Sequence, residues 1–169
     1  MTDEIINRVA NSPLITIDLA DFVPKGDRKS IFITDWLYEG LILKEALFRE
    51  KISSHNWAQY KDAYVAIHTT TDAIVPSWAY LLLTVNLTSI AKRITIGTVQ
   101  EMEDSLLIEA LEKTDFSVYK NKKIIIKGCS KFSISNNAYG LIIQKLQPIV
   151  SSLMFGEACS NVPLYKQKK

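Results

Sequence analysis

Six side chains able to ligate a metal, act as a nucleophile or move a proton stand just beyond short apolar runs: His68, Asp72, Cys129, Lys131, Glu157 and Cys159. The runs are "AYVAI" before His68, "KIII" before Cys129 and "LMF" before Glu157. Two thiolates and an imidazole are donors that zinc, iron or an iron-sulfur cluster accepts, so Cys129, Cys159 and His68 form the candidate metal set. No CxxC or HxxxH spacing accompanies them. The same residues therefore also read as a small turn residue (Cys129), a buried thiol (Cys159) and a strand-end histidine bonded to main chain. A second chemistry makes Cys129 a nucleophile with His68 as base and Lys131 favouring the thiolate. "HTTTD", His68 to Asp72, sets hydroxyls and a carboxylate before a helix start, where free N–H groups favour anions. It lacks the glycines of a phosphate loop or a dinucleotide fingerprint, and capping by Thr71 or Asp72 explains it as well.

The elements that must position these groups recur. Trp57 to Gly97 and Phe116 to Gly156, offset by 59 residues, share nine identities in 41 positions, among them Tyr60/Tyr119, Ala79/Ala138, Leu87/Leu146 and Gly97/Gly156. This predicts an internally duplicated βαβ unit over 57–97 and 116–156. The offset pairs Thr70 with Cys129 and Asp72 with Lys131, so corresponding loops carry different chemistry. The recurring Tyr60, Tyr80, Tyr119 and Tyr139 are accounted for by core packing.

In chain order the pattern predicts a short helix at 3–10, strands at 14–17 and 31–33, and a helix from about Leu43 to Ser54, with Gly40 as a break. The first repeat gives strand 63–67, a helix opened by Pro76 and running to about Ala91, and strand 93–96. That helix is apolar nearly all round, with Trp78, Leu81, Leu82 and Val85, which predicts a central packed position. Thr98 with Glu101 three residues on is capping-box spacing for a helix over 99–113. The second repeat gives strand 123–126, a helix over about 137–150 shortened by Pro148, and strand 153–155. From Gly156 on, a tail loop is expected.

Buried-type strands alternating with helices predict an α/β fold, a mostly parallel sheet with helices on both faces. The helix between the repeats supplies the crossover that a parallel connection requires. A ferredoxin-like α+β arrangement is the alternative. In an open parallel sheet the four loops after 67, 96, 126 and 155 meet at one edge, which makes that edge the expected site.

At 169 residues and 47% hydrophobic, the chain is expected to fold as a single domain, 1–169. A net charge of +2 is too mild to argue for nucleic acid, and the "KQKK" stretch reads as a solvated end. No apolar stretch is long enough to span a bilayer and the first residues lack a secretory pattern, so a cytoplasmic protein that does not engage membranes is expected. Two cysteines make no disulfide framework.

"DWLYEGLILKE", "TTTDAIVPSWAYLL", "IIIKGCS" and "MFGEACSNVPLYK" together resemble a bacterial domain-of-unknown-function family of single-domain proteins. The resemblance spans nearly the whole chain. It implies an accessory role beside the sulfur-mobilisation machinery of iron-sulfur assembly. Family members carry Cys near the position of Thr70 and Pro near Ala158, and this chain departs at both. Three functional readings follow. The first is an accessory factor in iron-sulfur or thiol-metal metabolism acting through Cys129 and Cys159, with His68, Thr70, Asp72, Lys131 and Glu157 around them. The second is a small-molecule enzyme with a Cys129 nucleophile. The third is a non-catalytic interaction module that meets a protein partner or forms a homodimer through Trp36, Trp57 and "VPLYK".

Overall fold

The computed structural model describes residues 14–70, 72–128 and 133–168. In chain order the elements are β1 (Leu14–Ile17), β2 (Arg28–Phe32), α1 (Glu45–Ser54), β3 (Tyr64–His68), α2 (Ser77–Leu87), β4 (Arg93–Ile96), α3 (Val99–Lys113), β5 (Lys123–Ile126), α4 (Asn136–Leu146), β6 (Ser152–Glu157) and β7 (Ser160–Lys166). The fold is α/β, as the alternation predicts. The helix expected at 3–10 lies outside the described residues.

The main chain divides into two compact units: Lys25–Glu103, and the flanking segments up to Pro24 and from Asp104. In the central unit β2-β3-β4 form a three-stranded sheet with both pairings parallel. β3 sits in its middle because Tyr64, Val65, Ala66 and Ile67 are all buried, a run that only a strand covered on both faces can bury. Ile31, Val65 and Ile67 pack with Phe48 and Ile52 of α1 and with Ala79, Leu83 and Leu87 of α2. In the flanking unit the order is β1-β5-β6-β7, parallel except for β7. Its core joins Ile17, Ile124, Ile126 and Leu153 of the sheet to Leu107, Leu111, Ala138, Ile142 and Leu146 of the helices.

The expected single sheet is thus replaced by two. Each βαβ segment pairs with an earlier strand, β2 beside β3 and β1 beside β5, and pairing between distant segments leaves no local trace. The parallel pairings also dispose of the ferredoxin-like alternative, which needs an antiparallel sheet. The expected tail loop after Gly156 is instead strand β7, paired antiparallel to β6. The strand accommodates Pro163 because β7 ends the described sheet order, and an edge tolerates a missing N–H.

Local conformation repeats at the 59-residue interval. Asp62 and Asn121 both take positive φ, 57° and 60°. Their N–H groups donate to Ile90 O at 3.0 Å and Ile149 O at 2.8 Å. The capping box forms as predicted: Glu101 Oε2 accepts from Thr98 N–H at 2.6 Å, and Glu101 N–H donates to Thr98 Oγ1 at 3.2 Å. These bonds from Thr98 hold the Glu101 carboxyl below its ordinary value.

α2 departs from expectation. Ala79, Leu83 and Leu87 are fully buried, yet Trp78, Leu81 and Val85 are 37%, 56% and 70% exposed. The helix lies at the surface and not in a central packed position. An even spread of apolar residues does not say which face the fold covers.

Candidate functional site

The predicted site residues fall in both units. In the central unit His68 ends β3, its ring edge-on to Phe32 with centroids 4.7 Å apart. Its Nε2 is buried without a hydrogen-bond partner. The Thr70 hydroxyl meets that of Thr34 at 3.1 Å, and Asp72 is exposed. In the flanking unit Glu157 ends β6, and Cys159 is exposed in the turn before β7. Cys129 and Lys131 lie outside the described residues. Because the strands belong to two sheets, the loops after β3 and β4 share one sheet's edge and those after β5 and β6 the other's. No group of three or more His, Cys, Asp or Glu able to hold a metal ion occurs among the described residues.

The strand-end chemistry of the two units differs. Where the central unit has Phe32 beside His68, the flanking unit has an ion pair, Asp18 Oδ2 to Lys127 Nζ at 2.9 Å. Burial would raise the Asp18 carboxyl, but hydrogen bonds from Lys127 and from Ala20 N–H outweigh it and hold the group below its ordinary value. The same hydrogen bond raises Lys127. This pair is satisfied within itself and offers a ligand little.

Two surfaces of the central unit have more to offer. The first is the outer side of α2. Trp78, Leu81, Leu82 and Val85 form, with Glu45 and Arg49 of α1, a groove of about 420 Å³. Ile74, before the helix, is 92% exposed. The fold does not demand this: at the places around α4 that match Ile74, Trp78, Leu81 and Val85 stand Ser133, Asn137, Gly140 and Gln144, and only Leu82 has an apolar counterpart, Leu141. The buried lines of the two helices coincide in position, Ala79, Leu83 and Leu87 against Ala138, Ile142 and Leu146, so the larger difference is on the outward faces.

The second surface is a cleft of about 450 Å³ beside β2, lined by Ser30, Ile31 and Phe32 together with Trp36, Lys51, His55 and Tyr60. His55 ends α1 and lies against Trp36 and Trp57, each with centroids 4.8 Å away. Its Nε2 is 3.1 Å from the Tyr60 hydroxyl and 3.2 Å from the Gln59 amide nitrogen. An amide nitrogen only donates, so Nε2 accepts and the ring proton sits on Nδ1. Burial lowers the His55 pKa, which favours the neutral ring. Burial likewise raises the Tyr60 phenol. His55 is not among the site residues expected from the sequence. The signal was its place in "SSHNWAQY", a histidine closing a helix just before two aromatic residues.

No curated protein and no solved structure matches the chain. A family model matches residues 3–167, nearly the whole length, and its description is "Protein of unknown function (DUF2480)". A segment assignment of that extent, over the same residues that carry both surfaces, settles kinship: the chain belongs to the DUF2480 family of proteins of unknown function.

Proposed function

We propose that the chain is a non-catalytic interaction module that pairs with a second copy of itself through the outer face of α2. The observation that carries this reading is the exposure of Trp78, Leu81 and Val85, set against the polar or small residues at the matching places of α4. Exposed apolar surface of this kind costs solubility unless something covers it. The chemistry of the face suits a copy of itself. No charged residue occurs from Ser77 to Ala91, and the rim holds one acid and one base, Glu45 and Arg49, bonded at 2.9 Å. A two-fold contact is reciprocal, so an axis that sets Glu45 of one copy against Arg49 of the other does so twice.

The area also bears on the affinity. An 11-residue helix is about 16 Å long and two neighbouring helices together are about 20 Å across, so the face measures roughly 300 Å² in outline per copy. An interface that small stands below the standard size of specific complexes, so pairing is expected to be weak, in the micromolar range or above. An accessory role in iron-sulfur metabolism would then be that of an adaptor in the cytoplasm, holding proteins together and not carrying metal.

Sedimentation equilibrium of the native chain and of a Leu81→Glu, Val85→Glu double variant tests the reading. The native mass is expected to rise from one copy toward two across the micromolar range, with the variant held at one copy and its melting temperature unchanged. A native chain that stays at one copy throughout, or a variant that still pairs, refutes it.

A further inference from the structure

The cleft beside β2 carries an inference independent of the α2 face. Three consecutive strand residues, Ser30, Ile31 and Phe32, line it. Successive side chains point to opposite faces, so a strand can present three in a row to one cleft only along its hydrogen-bonding edge. Among the described residues β2 is an edge strand, with β3 on one side and no described strand on the other. Which main-chain groups face outward follows from the ladder. Tyr64 N–H donates to Asp27 O at 2.8 Å. In a parallel ladder alternate residues face the partner, so Asp27, Lys29 and Ile31 face β3 while Ser30 and Phe32 turn their N–H and C=O groups to the cleft.

We infer that this edge binds an extended peptide, which adds a strand to β2 and sets a ring-bearing or branched apolar side chain into the cleft against Trp36 and Tyr60. Main-chain bonds to Ser30 and Phe32 supply affinity, and the cleft supplies selectivity. The ring surfaces are already fixed: Trp36 and Tyr60 are 8% and 6% exposed and held by His55. The charge along the edge favours an acidic peptide. Lys51 lines the cleft with one acid, Asp35, whose main-chain oxygen holds the Lys51 ammonium at 2.7 Å, and the exposed Lys29 precedes Ser30 on the same strand. Neither lysine has a carboxylate among its described salt-bridge partners.

The test is selection of a random-peptide phage library on the native full-length chain, followed by fluorescence anisotropy of the selected peptides with two variants. Ser30→Pro removes an outward N–H that the ladder does not use, so it should fold with little loss of stability, whereas Ile31→Pro should destabilise the chain strongly. Lys51→Glu reverses one flanking charge on an exposed side chain and leaves the core alone. Expected are peptides with apolar residues at every second position and acids nearby, whose binding falls at least tenfold with Ser30→Pro and severalfold with Lys51→Glu. Slowed amide exchange at Ser30 and Phe32 on binding is expected too. Absence of enriched peptides, or peptides that bind both variants as they bind the native chain, overturns the inference. Should Ser30→Pro fail to fold, Lys51→Glu and the exchange measurement still decide.

Discussion

Truncating Leu83 and Leu81 to alanine one at a time tests which face of α2 the fold covers. Leu83 is 0% exposed within the central core, and Leu81 is 56% exposed. Leu83→Ala loses the transfer energy of its side-chain carbons and leaves a cavity, at a cost of about 3 kcal/mol. That lowers the melting temperature by about 6 to 24 °C, depending on whether the whole chain or the central unit alone unfolds cooperatively. Leu81→Ala removes carbons that water already reaches, in a helix where alanine is well tolerated, so its cost stays within about 0.5 kcal/mol. Urea unfolding followed by tryptophan fluorescence is the assay. Trp36, Trp57 and Trp78 all belong to Lys25–Glu103, so the signal reports on the unit that holds the substitutions. The comparison is made at sub-micromolar protein to keep self-association out of it. Equal costs at the two positions would refute the assignment of faces and remove the basis for pairing through α2.

Two further outcomes follow from ion pairs. The Arg28 guanidinium grips both oxygens of Glu103, at 2.7 and 3.0 Å, with the side chains 23% and 25% exposed. Glu103→Gln should cost about 1 kcal/mol once solvent screening is allowed for, and a double-mutant cycle with Arg28→Met isolates the coupling. The Asp18 carboxyl is held below its ordinary 3.8, so the stability it contributes is full above that value and is lost as pH falls through the lower folded value. The difference in urea midpoint between native chain and Asp18→Asn should therefore be constant at neutral pH and disappear in strong acid. A difference that persists there assigns Asp18 no charge-dependent role.

Much of the fold is legible in the sequence where a local rule decides. β4 and α3 fall where the pattern places them, the helix because Thr98 and Glu101 form its cap and the strand because "RITI" stands between turn signals. β7 escapes because its exposed Val162 and Leu164 and its Pro163 look like loop composition. The division into two sheets escapes because it rests on which distant strands pair. The outward face of α2 is misread for a physical reason: hydrophobicity reports that a residue avoids water, and says nothing of whether its own chain or a second molecule covers it. The cleft at His55 is invisible for a related reason, since Trp36 and Tyr60 meet the imidazole only after α1 has folded back beside β2.

The pairing of β1 with β5 bears on how the chain is made. The Asp18–Lys127 bond at the end of that ladder joins residues separated by 109 positions, with all of Lys25–Glu103 in between. A ribosome adding about 5 to 20 residues each second leaves β1 without its neighbour for roughly 5 to 20 seconds. The central unit is contiguous and carries its own core, so it is free to condense during that interval. β1 thus waits for its place until the intervening unit has been synthesised, and that wait is the stage at which a holdase would have most to grip.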